Sequence, residues 1–290
     1  MWNQIKTVLL LGSLTGILLF LGNLFGGEQG IFMAFMLAIF MNGIAYFYSD
    51  KIVLRMYGAQ PLDRAQYGWI YEIVEELTHT MHIPMPKLWL INTPMANAFA
   101  TGRNPKHASV AVTTGILNIL DKEELRGVLA HELGHVVNRD ILVSSIAATL
   151  AATIGYLANW LYWSAIFGGN RDRRDQGGTG PIAMLVISFL VPIAASLIQL
   201  AISRSREYLA DETGARCCHD PLALASALKK LQQNVQYAHL DKQNASQAST
   251  AHLFIVHPFT EDGFLISLFS THPPMKERIK RLEKMHEKLF

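Results

Sequence analysis

At 290 residues the chain has room for one large domain, or for a compact domain plus a membrane part, and half of its residues are apolar. Only 17% are charged, against about 25% in soluble domains, and the shortfall sits in four stretches, which excludes an ordinary soluble globule. A net charge of +2 without a basic, aromatic-interleaved stripe excludes a nucleic-acid binder, and the adjacent Cys217 and Cys218 exclude a disulfide framework and point to a reducing compartment.

Residues 7–25 carry no charge and are long enough to cross roughly 30 Å of hydrocarbon as a helix. A second apolar run over 31–48 follows a Gly-Gly-Glu-Gln-Gly link and ends in Tyr46 and Tyr48, which suit the membrane interface. With no small-residue cleavage site, 1–50 is expected to be a transmembrane hairpin and not a signal peptide. Lys6 precedes the hairpin, Lys51, Arg55 and Arg64 follow it, and its short loop has no basic residue. The positive-inside bias therefore puts the N-terminus and the segment after residue 50 in the cytoplasm.

Residues 51–140 read as a cytoplasmic catalytic part. Apolar and charged faces alternate at helical spacing around 63–82. Strands are expected at Lys87–Asn92, Ala96–Ala100 and Ser109–Thr114, separated by Pro, Asn and Gly. Asp121 with Glu124 three residues later makes a capping box that starts a helix.

Two further apolar runs cover 141–202, at 141–167 and 181–202, interrupted by Asn159, Pro192 and Gln199. The linker Gly168–Gly180 carries Arg171, Arg173 and Arg174, which two full spans would place outside, against the positive-inside rule. Two spans are the favoured reading and a re-entrant or protein-buried helical pair is the alternative. Residues 203–290 return to cytoplasmic, amphipathic sequence. Within them His239–Ala251 reads as a small-polar linker and the tail as a charged helix with a solvated face.

His131-Glu132-Leu133-Gly134-His135 is an H-E-x-x-H motif inside the capped helix. At i and i+4 both imidazoles lie on one face and reach one metal. Glu132, rotated about 100° from His131 on the helix, is placed to take a proton from water at that metal. The neighbours Val128-Leu129-Ala130 and Val136-Val137 are apolar, and burying two histidines and a glutamate there is costly without a partner. Catalytic zinc needs a third protein ligand and an open position. Glu207, where the last apolar run ends, is the best candidate, and Asp211 one turn on is placed to hold a ligating imidazole. Asp140, five residues beyond His135, either supports the metal helix or caps its end.

Several motifs occur together in order: the N-terminal hairpin, Asn97-Ala98-Phe99-Ala100-Thr101-Gly102, His131–His135, Glu207 to Asp211, and Ser270-Thr271-His272-Pro273-Pro274 with Arg278. In these the chain resembles, over nearly its whole length, the HtpX-type membrane-bound zinc metalloproteases, relatives of the prenylated-protein endoproteases. The resemblance implies one Zn2+ per chain on His131, His135 and Glu207, with Glu132 as general base. It places His272 near the substrate carbonyl to steady the oxyanion, with Arg278 nearby, and makes Asn97, Ala98, Phe99 and Ala100 a substrate-facing strand. His257 stands where similar sequences carry a small amide residue; a surface histidine is the favoured reading there, an extra ligand the other.

The expected protein is thus a mainly α integral membrane protein with a small β-sheet and a zincin-like metalloprotease domain on the cytoplasmic face. The resemblance implies proteolytic quality control of misfolded or damaged membrane proteins in a bacterial inner membrane, and the small-polar loop His239–Ala251 offers a substrate for self-cleavage. A narrow-specificity processing protease and a membrane scaffold with non-catalytic zinc are the rivals. The retained Glu132 argues against the scaffold.

Overall fold

The computed structural model describes residues 2–24, 28–167, 181–237 and 272–289. The expectations for Gly168–Gly180, His239–Ala251, His257 and Ser270-Thr271 lie outside them.

In chain order the described elements begin with helices α1 (Trp2–Leu24) and α2 (Glu28–Met56) and the short strand β1 (Gln60–Pro61). Helix α3 (Gly68–Thr80) and strands β2 (Lys87–Ile91), β3 (Ala98–Thr101) and β4 (Ser109–Thr113) follow. Next come α4 (Thr114–Ile119), α5 (Lys122–Val137), α6 (Asp140–Phe167), α7 (Pro181–Cys218), α8 (Pro221–Tyr237) and α9 (Met275–Leu289). The chain divides into two compact units, one of Met1–Ala45 with Val143–Ile202 and one of Tyr46–Leu142 with Ser203–Phe290.

In the first unit, Leu14, Leu18 and Leu21 of α1 pack with Ala147, Ile154 and Leu157 of α6 and with Ala195 and Ile202 of α7. These positions recur at three, four or seven residues, one stripe of each helix. Val8, Leu19, Phe20, Phe189 and Leu190 are exposed. A helix apolar on its outer face as well as its inner one suits hydrocarbon, not water. Among the described residues three helices are long and apolar enough to cross a membrane: Trp2–Leu21, Asp140–Trp163 and Ile182–Cys218.

The second unit is built on a four-stranded mixed sheet of order β1-β2-β4-β3. Strands β2 and β4 run parallel, with Lys87 beside Ser109 and Ile91 beside Thr113. The outer strands β1 and β3 pair antiparallel to β2 and β4. Strand β3 starts two residues later than expected, because the Asn97 N–H bonds to the Thr113 hydroxyl at 2.9 Å and not to a strand carbonyl. Helix α3 starts at Gly68, not near 63, because the Asp63 carboxylate accepts from the Ala65 N–H at 2.9 Å and forms a turn there. Strand β1 was not expected; two residues ending in Pro, tolerable only on an edge, leave no periodic signal.

Helix α5 is central to this unit and packs on α3, α8 and β3. Its capping box forms as expected: Glu124 N donates to Asp121 Oδ1 at 2.9 Å and Asp121 N to Glu124 Oε2 at 3.0 Å. Ser226 and Lys230 of α8 also bind the Glu124 carboxylate, at 2.7 and 2.6 Å, so the cap joins two helices. Helix α5 ends at Asn138, and Arg139 takes a left-handed φ of 52° before α6 begins. The tail helix α9 uses its apolar stripe, Ile279 and Leu282, to close the core against α8.

Glycines set how closely α7 approaches the metal-motif helix. A Cβ on Gly214 would lie 2.7 Å from His131 N, and one on Gly134 would lie 3.0 Å from the Ala210 carbonyl. No side chain fits at Gly214 without moving a helix. Gly214→Ala should therefore lower stability by about 1–3 kcal/mol. Gly155→Ala, where a Cβ meets nothing within 4 Å, should leave the thermal unfolding midpoint nearly unchanged.

Candidate active site

The site follows from the register of α5. The capping box fixes where the helix starts, and burial of Val128, Leu129 and Leu133 fixes which way it turns. His131, Glu132 and His135 then lie along one side, facing α7 and β3. His131 and Glu132 are buried, and His135 is partly so.

Helix α7 supplies Glu207, whose Oε2 lies 3.8 Å from His131 Nε2 and whose Oε1 lies 3.5 Å from His135 Nε2. One ligand atom from each of the three falls within 4.8 Å of the others. The two Nε2 atoms face each other at 3.2 Å. His135 Nδ1 is 2.6 Å from Asp140 Oδ2, and His131 Nδ1 is 3.0 Å from Asp211 Oδ1. A carboxylate beside each Nδ1 favours the hydrogen there, so that each imidazole, once neutral, would turn the Nε2 lone pair toward a metal. Two Nε2 atoms and a carboxylate converging on one point are a donor set that suits a metal ion.

The charge count agrees. Glu132, Asp140, Glu207 and Asp211 are buried with Arg206 and Arg278. Carboxylates outnumber guanidiniums by two, so the cluster carries a negative surplus that favours a bound cation. The residues present fit a metal ion. Burial opposes charge on His135, but its bond to Asp140 and the carboxylates of Glu207, Asp140 and Glu132 outweigh that and push its pKa up to about 9. The cluster, in other words, draws a cation toward it.

Arg278 is fully buried and reaches the site from α9. Its Nε and Nη2 grip Asp211 at 2.9 and 2.7 Å, and its Nη1 lies 3.2 Å from Glu207 Oε2. Burial works against its charge, yet Asp211 and Glu207 raise its pKa. His272 lies just ahead of α9, with Nδ1 3.1 Å from Glu207 Oε2. Residues nearly 150 positions apart thus meet, and every expected metal-site and supporting residue reaches one place.

Among the described residues strand β3 is one of the two edge strands of the sheet, and all of it but Ala100 is buried. The Asn97 carbonyl accepts from Thr113 N, which sets the pairing phase. Asn97 and Phe99 therefore direct their main-chain groups to β4, while Ala98 and Ala100 direct theirs outward. The Phe99 ring packs 5.9 Å from that of Tyr57. Of the four expected substrate-strand residues, Ala98 and Ala100 thus present main chain at the edge. The Ala100 N–H donates to Glu132 Oε2 at 2.8 Å.

Sequence reasoning missed two contributors. One is the Ala100 amide, a main-chain group with no residue signature. The other is Arg206, a buried arginine bonded to Asp140 Oδ1 and, through Nη2, to the Asn138 carbonyl at 2.5 Å. An arginine beside Glu207 with an unpaired-looking Asp140 elsewhere was the available signal.

Residues 64–286 match the sequence profile described as peptidase family M48. The chain belongs to that family. It is 53% identical to a protease HtpX homolog of Sulfurihydrogenibium sp. (strain YO3AOP1), over 100% of this chain and 98% of that one. It is 52% identical to one of Syntrophobacter fumaroxidans, over 98% and 100%, and 49% identical to one of Aquifex aeolicus, over 96% and 91%. These relationships make it a metalloprotease with membrane helices. Its fold is similar to the crystal structure of S. mikatae Ste24p, with a TM-score of 0.61 and 19% identity over 97% of this chain. The chain spans 65% of that protein's length.

The Ala100 contact can be tested directly. Its N–H points away from β4, so Ala100→Pro removes the donor to Glu132 without breaking the ladder. Proteolytic rate should fall by about 10–100-fold, the scale of a misplaced reacting group, while bound metal per chain stays constant. Loss of metal along with activity would mean that the strand itself had been disturbed.

Proposed function

We propose that this chain is a zinc-dependent endopeptidase of a bacterial inner membrane that cleaves misfolded or damaged membrane proteins. The convergence of His131 Nε2, His135 Nε2 and the Glu207 carboxylate beside Glu132 is the observation that carries the reading. Two imidazoles and one carboxylate are the donor set of hydrolytic zinc sites, which keep a further position open. A structural zinc would take four protein ligands.

When bound, zinc polarises the scissile carbonyl and makes water a better nucleophile near neutral pH. Glu132 accepts the proton of the attacking water and passes it to the leaving amine. Ala100 fixes one Glu132 oxygen, which leaves the other for proton transfer. Asp211 and Asp140 hold the two ligating imidazoles, and Arg278 holds Asp211 and balances the charge of Glu207. His272, as a donor beside Glu207, steadies the oxyanion. The Asn97–Ala100 segment is the proposed contact for an extended substrate, which would bond to main-chain groups there other than the Ala100 N–H, already given to Glu132. Such bonding is indifferent to side chains, as a quality-control protease requires.

The domain reading follows the same lines. Residues 1–50 form a membrane hairpin and 141–202 two further membrane helices, while 51–140 and 203–290 together make the catalytic part. The basic residues Lys6, Lys51, Arg55 and Arg64 support a cytoplasmic site and cytoplasmic termini. The small-polar segment 239–251 supports self-cleavage as a side reaction.

The test is cleavage of an unfolded model protein by the purified full chain in detergent. Zinc-loaded wild type should cut it, chelator should stop the reaction, and added zinc should restore it. Glu132→Gln should bind zinc equally and lose about 10²–10⁴-fold in rate, the contribution of a general base. Cleavage by that variant at the wild-type rate would sink the assignment of Glu132. Zinc bound at one per chain with no cleavage of any unfolded protein would point to a narrow-specificity enzyme instead.

A further inference from the structure

Arg206 has no part in the reaction as described so far, yet it is among the least exposed charged residues of the catalytic unit. A guanidinium is buried only when its donors are used. Its Nε donates to Asp140 Oδ1, and its Nη2 to the Asn138 carbonyl, the C-cap of α5. The other Asp140 oxygen, Oδ2, lies 2.6 Å from His135 Nδ1. Asp140 is therefore held between a guanidinium and an imidazole. Without Arg206, one of its two oxygens would lose its charged partner, and the carboxylate plane would be free to rotate away from His135.

The same arrangement occurs on the other imidazole. His131 Nδ1 faces Asp211, and Arg278 grips Asp211 through Nε and Nη2. Each imidazole of the metal site thus has a carboxylate on Nδ1, and each carboxylate has a buried arginine. The two arms differ in one way that matters. Arg278 also touches Glu207 itself, at 3.2 Å, whereas the bonds named for Arg206 reach the site through Asp140. Arg206 and Glu207 are neighbours on α7, so a single turn of that helix delivers the third ligand of the site and the clamp on the second.

We propose that Arg206 is a positioning residue for the metal centre: by clamping Asp140 to the end of α5 it fixes the tautomer and direction of His135. The proposal rests on the reading of His131, His135 and Glu207 as metal ligands. Arginine is needed because its rigid fork bonds Asp140 and the Asn138 carbonyl together, which a single ammonium cannot do in that geometry. The alternative is that Arg206 merely bolts α7 to α5 and leaves the metal site indifferent.

The experiment uses the full chain in detergent and reads metal affinity, not activity. Zinc affinity is measured by competition with a chromophoric chelator, ligand geometry by the visible absorption of the cobalt-substituted protein, and folding by thermal unfolding of the metal-free form. Arg206→Met should weaken zinc binding by about 10–100-fold, the usual effect of losing a partner behind a ligating histidine, and shift the cobalt bands. Asp140→Asn should do the same. The double variant should be no weaker than the weaker single one, because Arg206 acts through Asp140.

Unchanged affinity and cobalt spectrum with a lower metal-free unfolding midpoint would make Arg206 a structural bolt and overturn the proposal. Losses that add in the double variant would overturn it as well. Should Arg206→Met fail to fold, Arg206→Lys enters the same cycle, with an affinity loss expected that disappears in the Asp140→Asn background. Wild-type protein that binds no metal would remove the centre itself and this proposal with it. Tight wild-type binding that Arg206 variants leave untouched would remove the proposal alone.

Discussion

The catalytic unit depends on a buried charge cluster that does not balance by itself. Four carboxylates and two guanidiniums lie out of water around two imidazoles, a negative surplus that a raised proton affinity at His135 offsets only in part. Burying such a surplus is strongly unfavourable, and a divalent cation at the convergence of His131, His135 and Glu207 removes it. A metal bound there would therefore couple to completion of the fold. Helices α5, α7 and α9 each bring part of the cluster, so a cation held there would link segments far apart in sequence.

Packing serves that electrostatic arrangement. Gly214 lets α7 lie close enough to α5 for Glu207 to reach both imidazoles, and a methyl group there would collide with the main chain at His131. The shared cap at Glu124 ties α8 to the start of α5, and the apolar stripe of α9 on α8 carries Arg278 inward. Each contact is ordinary alone. Together they leave the metal-motif helix little freedom to rotate or slide, and that restraint gives a hydrolytic site its fixed geometry.

The edge strand β3 and the proposed base are joined through the bond from the Ala100 N–H to Glu132. The strand that receives substrate in the proposed reaction also orients the group that deprotonates water. Binding and proton transfer share one rigid element, so a substrate lying correctly along the edge is already placed relative to Glu132. The oxyanion role proposed for His272 has a comparable basis, since it stands beside Glu207 immediately before α9.

Much of this was legible in the sequence. Charge-poor stretches marked the apolar helices, Asp121 with Glu124 marked the start of α5, and the i, i+4 histidines with Glu132 marked the chemistry, because each is a local pattern with a local physical cause. Asp211 was legible too, one turn from Glu207 on the same helix. The phase of β3 was not, since the Thr113 hydroxyl replaces a main-chain partner and delays the strand. Nor was the Ala100 donor, because a main-chain N–H looks the same at every residue. The pairing of Arg206 with Asp140 across 66 positions was hidden for a related reason: a buried ion pair is chosen by what else shares its low-dielectric space, and only the folded chain defines that space. The sequence by itself determined the candidate ligands and the candidate base; the tertiary structure decided which carboxylates and arginines hold them, because those partners are selected by proximity in space and not along the chain.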